Sequence, residues 1–195
     1  MSFLTRDTFW QGQAKEREQD FETVSITTEP DTDLWQRTYY GFQRDNAPAL
    51  LSTVGDTYFS LTIRVDFAYR ERFDQCGIIL YQDSDHWMKA SIEYENETFQ
   101  RLGSVVTNHG FSDWATTDIP SDQTSMYYRL SRREGDFCVE HSVDGVTFRQ
   151  MRIFHLMKAS DAVHVGVYAC SPEASSFTAR FSEMALTACL WKAHE

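Results

Sequence analysis

The sequence lacks long apolar runs. No stretch reaches the roughly 18 consecutive apolar residues that a membrane-spanning helix needs, and residues 1–7 lack the apolar core of a signal peptide. We therefore expect a protein that does not enter a membrane and that works in the cytoplasm.

Basic residues are also scarce. The 195 residues include 18 Lys and Arg against 29 Asp and Glu, which gives a net charge of −11. A charge of this sign repels the phosphate backbone of nucleic acids and the anionic surface of membranes. The composition argues against both partners and favours a neutral, cationic or sugar-like small molecule.

Metal-binding patterns are absent from the sequence. The four cysteines form no C-x-x-C pair, so buried reduced thiols are expected rather than zinc ligands or disulfides. The six histidines show no H-x-H or H-E-x-x-H spacing, and no glycine-rich phosphate loop occurs. We predict no metal site and no cofactor, with a calcium ion beside Asp83 and Asp85 as an open alternative.

Amphipathic helical patterns are missing as well, whereas strand patterns recur along the chain. Residues 57–67 alternate between apolar and polar side chains, and Asp- or Gly-containing turns separate similar segments. This predicts an all-β fold, a two-sheet antiparallel jelly-roll sandwich, in a single domain over residues 1–195. Residues 1–20 are expected to form either a short peripheral helix or a tether.

One predicted strand carries an unusual polar row. Because side chains alternate across a strand, Trp87, Lys89, Ser91 and Glu93 share one face, while residues 88, 90, 92 and 94 share the other. The second set is apolar enough for a core. The first set predicts a face that binds a ligand.

Several separate motifs, in order along the chain, carry a resemblance to a known family. They span nearly the whole chain and are Thr32-Asp33-Leu34-Trp35-Gln36-Arg37-Thr38, Asp74-Gln75-Cys76-Gly77, Trp87-Met88-Lys89, Ile92-Glu93-Tyr94, Val106-Thr107-Asn108, Ser112-Asp113-Trp114, Val165-Gly166-Val167-Tyr168 and Ser171-Pro172-Glu173.

The chain thereby resembles a largely uncharacterised family with a concanavalin A-like lectin/glucanase fold, one of whose names comes from a fungal regulator of enolase. The resemblance implies a β-sandwich whose concave face holds a ligand, as similar folds hold saccharides. It also implies an alternative, a protein-interaction module that regulates a metabolic enzyme.

The favoured interpretation is non-catalytic binding of a saccharide or sugar acid on the concave sheet. A carboxylate such as Asp113 can accept sugar hydroxyls, and an indole such as Trp114 can stack on a sugar ring. The predicted ligand contacts are Lys89, Glu93, Thr107, Asp113, Trp114 and Glu140, with Trp35 and Tyr39 at the rim. An ion pair of Lys89 with Glu93 or Glu140 is the structural alternative, and a homodimer or a protein partner is also compatible with the sequence.

A glycoside-acting enzyme is the catalytic alternative. The segment Glu93-Tyr94-Glu95-Asn96-Glu97 is similar to the acidic strand of laminarinase-type glycoside hydrolases. Alternate positions on a strand lie about 7 Å apart, and hydrolysis needs two carboxyl groups about 5 to 9.5 Å apart. Glu93 and Glu95 would be that pair, although Glu97 is expected to leave the face at a turn.

Overall fold

A computed structural model describes residues 2–159 and 162–192, which leaves His194 and the ends of the predicted domain outside the description. Those residues form a short 3-10 helix, Phe3–Thr5, and strands in chain order: β1 (Phe9–Gln11), β2 (Glu16–Gln19), β3 (Val24–Thr27), β4 (Leu34–Gln36), β5 (Gln43–Asp45), β6 (Ala49–Val54), β7 (Tyr58–Phe67), β8 (Gln75–Asp83), β9 (His86–Tyr94), β10 (Phe99–Asn108), β11 (Phe111–Pro120), β12 (Ser125–Arg133), β13 (Asp136–Ser142), β14 (Arg149–His155), β15 (Val163–Cys170) and β16 (Thr178–Thr187). No helix among the described residues is long and apolar enough to cross a bilayer.

The strands build two large sheets. The front sheet has the order β1-β6-β15-β8-β9-β10-β11, and the back sheet has the order β14-β13-β12-β7-β16-β3-β2. Neighbouring strands within the two sheets pair antiparallel. The predicted all-β, two-sheet antiparallel sandwich is confirmed.

The main core lies between the sheets and follows the alternation of the sequence. In β7, Phe59, Leu61, Ile63 and Val65 are fully or almost fully buried, and the polar residues between them lie on the opposite face of the sheet, where Ser60 is also buried. In β9 the inward row is Met88, Ala90 and Ile92, which join the same core cluster. The row that begins with Trp87 therefore lies on the outer face of the front sheet.

The N-terminal segment differs from the prediction of a peripheral helix or tether. Phe3 and Leu4 of the 3-10 helix are buried, β1 adds to the edge of the front sheet, and β2 to the edge of the back sheet. Exposed, charged sequences such as that of β2 have little apolar periodicity, but an edge strand needs only backbone partners on one side.

A small hairpin, β4–β5, stands outside the two large sheets. Its Leu34 and Trp35 are buried in a second apolar cluster on the outer face of the front sheet, together with Ile79, Trp87 and Tyr168. The chain between the two strands turns back at Gly41, whose φ of +75° suits a residue without a side chain. This hairpin covers the outer face that the polar row occupies.

Candidate functional site

A cavity of about 370 Å³ lies between the front sheet and the β4–β5 hairpin. Small-molecule sites usually occupy about 300–1,000 Å³, so this one suits a small ligand rather than a polymer that runs through it. Lys89, Ser91 and Glu93 line the cavity, so three members of the predicted row share it.

The middle of the cavity floor has only small residues. Ser91 pairs across β8 with Gly77 and across β10 with Gly103, so two residues without side chains flank it. Lys89 and Glu93 lie two residues away on either side, about 13 Å apart along the strand. A ligand seated over Ser91 would thus have a cation at one end and a carboxyl group at the other.

Lys89 is buried, at 3 % exposure, and its Nζ lies 3.1 Å from Asp33 Oδ1. The Nζ also lies about 6 Å from the ring centroids of Trp87 and Tyr168. Burial opposes its charged form, but the negative charge of Asp33, helped by Glu93, outweighs this and raises the pKa of Lys89 above its ordinary value of 10.5. Lys89 is an ammonium group at neutral pH.

Asp33 is held in place from the start of β4. Its backbone N–H donates to Asn46 Oδ1 at 2.9 Å, and its Oδ1 accepts from the backbone N–H of Leu34 at 2.7 Å as well as from Lys89. The predicted ion pair of Lys89 with Glu93 or Glu140 is therefore wrong, because Asp33 reaches Lys89 from the hairpin.

Glu93 is the most perturbed carboxyl group of the cavity. Gln75 Nε2 donates to its Oε2 at 2.8 Å. Burial is the main cause that raises its pKa from 4.5 to about 7, helped by Asp33 and Glu95 and opposed by Lys89 and Arg101. Near neutral pH this group can therefore donate or accept a proton.

Aromatic rings from the hairpin and from β11, the edge strand of the front sheet, form one wall of the cavity. Trp35 and Trp114 meet edge to face at 6.4 Å between centroids, and Trp35 meets Tyr40 in the same way at 5.4 Å. Trp35 is fixed by a hydrogen bond from its Nε1 to the backbone oxygen of Thr38 at 3.1 Å. Phe42 continues the wall toward solvent, where it is 42 % exposed.

Gly103 makes room for Trp114. A Cβ at this position would lie 2.8 Å from a Thr116 methyl and 3.2 Å from Trp114 Nε1. The backbone oxygen of Ala115 would also lie 2.8 Å from that Cβ, so a side chain at position 103 would force β11 and the Trp114 indole to shift.

Four of the predicted contacts lie outside the cavity lining. Tyr39 is 92 % exposed at the hairpin tip, and Thr107 is buried, where it shares a hydrogen bond with Ser112 at 2.8 Å. Asp113 alternates with Trp114 along β11, and its exposed side chain pairs with Arg152. Trp35, Lys89, Glu93 and Trp114 are the predicted contacts that the structure brings together.

Glu140 lies on the other sheet. It belongs to β13 of the back sheet, and its carboxylate binds Arg129 at 2.6 and 2.9 Å. The expectation that it shares a sheet with Lys89 is wrong because alternation fixes the face of a residue within its own sheet, but not which sheet the strand joins.

Glu95 does not line the cavity either. It pairs with Arg72 and lies 3.6 Å from Arg101 Nε. Glu97 leaves the face in the β9–β10 turn, as expected. Glu93 and Glu95 therefore do not face the cavity as a carboxylate pair.

Metal ligands do not cluster anywhere in the described residues. Asp83 binds His86 at 2.8 Å and Lys158 at 3.3 Å, while Asp85 binds Arg37 at 3.4 Å. These two carboxylates are neutralised by side chains, which does not fit a calcium site.

Sequence reasoning missed several residues of the lining. Asp33, Gln75, Arg44 and Arg101 line the cavity but were not predicted as contacts. Arg101 could have been found, because it alternates in phase with Gly103 and Val105 in β10, and Gln75 is in phase with Gly77. Asp33 and Arg44 belong to a short hairpin whose position no periodicity reveals.

Comparison with known proteins identifies the family of the chain. Residues 10–189 match the family described as "Protein of unknown function (DUF1349)". The chain belongs to this family. The DUF1349 chain is also 35 % identical to "Regulation of enolase protein 1" of Saccharomyces cerevisiae. The 184 aligned residues cover 94 % of this chain and 91 % of the relative.

Solved structures agree with the fold of this DUF1349 protein. A functionally unknown protein from S. cerevisiae superposes with a TM-score of 0.88 and 34 % identity, over 96 % of this chain and 99 % of that one. A GH43 protein, BlXynB of Bacillus licheniformis, matches with a TM-score of 0.68 and 14 % identity, over 85 % of this chain and 33 % of its own. At that identity the likeness shows a shared β-sandwich fold alone.

Proposed function

We propose that this protein binds a small polyhydroxylated ligand, a saccharide or sugar acid, in the cavity without chemical conversion. The observation that carries the proposal is Lys89, a buried cation on the cavity floor with one hydrogen-bond partner among the described residues. An ammonium group has three N–H donors, and buried donors are normally all used. Two of them are left for a ligand.

The rest of the cavity has the chemistry that sugars need. Hydroxyl groups both donate and accept hydrogen bonds, and the floor offers an ammonium donor at Lys89, a hydroxyl at Ser91 and a carboxyl group at Glu93. The apolar face of a sugar ring can lie against the indole of Trp114. A purely apolar ligand would leave the remaining N–H donors of Lys89 without acceptors, at a cost of about 1–3 kcal/mol.

A thermal-shift screen with sugars and sugar acids tests the proposal. A ligand at about 100 times its Kd stabilises the folded state by about 2.7 kcal/mol, which for a chain of this size raises Tm by about 5–10 °C. Trp114→Ala is expected to abolish the rise. Asp113→Asn is the matched control, because this neighbouring side chain lies outside the cavity lining and should leave the rise intact.

An absence of any shift for the unmodified protein across the panel would contradict ligand binding. An equal thermal shift in the Trp114→Ala variant would instead show that the ligand binds away from the aromatic wall.

A second candidate, regulation of another protein, is favoured by the relative named "Regulation of enolase protein 1". The exposed rings of Tyr39 and Phe111 are available for such contacts. Purified enolase should then be retained by the immobilised protein in the absence of sugar, and Tyr39→Ala should weaken retention. Equal retention by a column that carries an unrelated protein would exclude this function.

A further inference from the structure

Arg101 is an incompletely paired cation in the cavity wall. It lies directly across from Glu93 in the β9–β10 pairing. Its guanidinium makes no hydrogen bond to another described residue, and its nearest carboxylate oxygen, on Glu95, is 3.6 Å from Nε. The Arg101 guanidinium carbon also lies 5.6 Å from the ring centroid of Trp114, which orients the group beside the cavity.

The charges around Arg101 do not cancel. Glu95 is shared with Arg72, so one carboxylate faces two guanidinium groups. Asp118, across from Arg101 on β11, is exposed and forms no ion pair with it among the described residues. At the other end of the floor, Lys89 is neutralised by Asp33. With Glu93 protonated, the Glu93 end of the cavity therefore has the guanidinium groups of Arg72 and Arg101 against the one carboxylate of Glu95, which is a surplus of positive charge.

Ionisation of Glu93 would cancel this surplus, but burial and the charges of Asp33 and Glu95 oppose ionisation more strongly than Lys89 and Arg101 favour it. The charged groups on the cavity lining or beside it come from both sheet and loops: Asp33, Arg44, Lys89, Glu95, Arg101 and Glu173. Arg44 is itself 3.7 Å from Asp31, at the outer rim. Glu93 and Arg101 do not form an ion pair within the described chain, although they face each other across two strands.

We propose that the ligand is a sugar acid whose carboxylate lies between Arg101 and Glu93, with a proton held on Glu93 while the ligand is bound. This inference rests on the proposed function and identifies its ligand class. The ligand arrives as an anion and accepts hydrogen bonds from the Arg101 guanidinium, which matches a carboxylate in shape. Glu93 takes one proton from solvent and donates it in a hydrogen bond to the ligand carboxylate.

The raised pKa of Glu93 makes this proton uptake accessible. Two ionised carboxylates at one site repel each other, so the second can enter at little cost only when the first is protonated. With a pKa of about 7, Glu93 is about half protonated before the ligand arrives at neutral pH. Above that pH, binding should weaken about tenfold per pH unit, because each binding event must take up one proton.

Isothermal titration calorimetry with matched probes tests the inference. The probes are glucuronate against glucose, galacturonate against galactose and gluconate against glucitol. At pH 8 the sugar acid of at least one pair is expected to bind at least tenfold more tightly than its neutral partner. Its apparent binding heat should change with the ionisation heat of the buffer, which reports the uptake of one proton.

Variants assign the effect to the two residues. Arg101→Met keeps an apolar stem against Trp114 and should remove the preference for the acid while neutral sugars still bind. Glu93→Gln should abolish both the proton uptake and the weakening above pH 7. Arg149→Met removes an exposed cation from the back sheet and controls for the change in net charge.

The outcomes separate this inference from the proposed function. Neutral sugars that bind as tightly as their acids, or acids that bind without proton uptake, would overturn the inference and leave saccharide binding in place. If neither member of any pair binds, while circular dichroism shows a folded protein, both fail. Acid-selective binding that persists in Arg101→Met would overturn the assignment to this end of the cavity.

Discussion

Replacement of Glu93 by glutamine should change how the stability of the protein depends on pH. Glutamine has the shape of a protonated glutamate and can still accept the hydrogen bond from Gln75, but it does not ionise. In the unmodified protein, folding raises the pKa of Glu93 from 4.5 to about 7, mainly through burial. The folded state therefore holds this proton more strongly than the unfolded state does.

The sign follows from proton linkage. Below pH 4.5 Glu93 is protonated in both states, and its contribution to stability is fully present. As the pH rises toward 7 the unfolded state loses the proton first, so the free energy of unfolding falls. This rise in the pKa of Glu93 corresponds to about 3 kcal/mol of the free energy of unfolding in total. About 2 to 3 kcal/mol of it is lost between pH 5 and pH 8.

Urea unfolding followed by tryptophan fluorescence at pH 5 and pH 8 measures this difference. Relative to the unmodified protein, Glu93→Gln should gain about 2 to 3 kcal/mol of stability between the two pH values. Glu97→Gln removes an exposed carboxylate from the β9–β10 turn and corrects for the change in net charge. Stability curves for the unmodified and Glu93→Gln proteins that stay parallel within about 0.5 kcal/mol would refute a buried, proton-binding Glu93.

Three further predictions concern the cavity and its surroundings. Lys89→Met should destabilise the fold by about 3–5 kcal/mol in urea unfolding, because it leaves Asp33 buried without its cation. The double variant with Asp33→Asn should regain most of the lost stability. If it does not, the Lys89–Asp33 pairing is contradicted. Gly103→Ala should cost about 1–3 kcal/mol and shift tryptophan fluorescence, because the added Cβ would press on the β11 backbone at Ala115 and on the Trp114 indole; an unchanged spectrum would contradict the tight contact. Glu140→Gln should leave every ligand-induced thermal shift unchanged. A lost shift would show that Glu140 contributes to ligand binding.

The fold could be predicted because it depends on periodicity. The inward row of β7 and the row at residues 88, 90 and 92 are visible as alternation, and burial of these rows is what holds the sheets together. Alternation fails for β2, where all four residues are exposed. An edge strand of this kind is held by backbone hydrogen bonds, which no pattern of side chains reports.

The cavity could be predicted only in part, for a related reason. Lys89, Ser91 and Glu93 share a face by strand geometry alone, and register with β10 adds Arg101. Asp33 reaches Lys89 across 56 positions of sequence, from a hairpin that packs over the sheet. A contact between residues so far apart in sequence depends on how the hairpin crosses the sheet. The alternation of side chains within the short hairpin strands does not reveal that crossing.

The two outer faces of the sandwich differ in a way that bears on function. On the back sheet, Arg129 donates two hydrogen bonds to Glu140, one to each carboxylate oxygen. On the front sheet, among the residues that the structure describes, buried Lys89 donates one hydrogen bond, to Asp33, and half-buried Arg101 donates none. Buried ion pairs contribute little net stability compared with apolar residues of the same size, so stability alone does not account for a polar floor under a hairpin. A ligand with acceptors would account for it, because it would satisfy the N–H donors of Lys89, which is already buried beneath the hairpin.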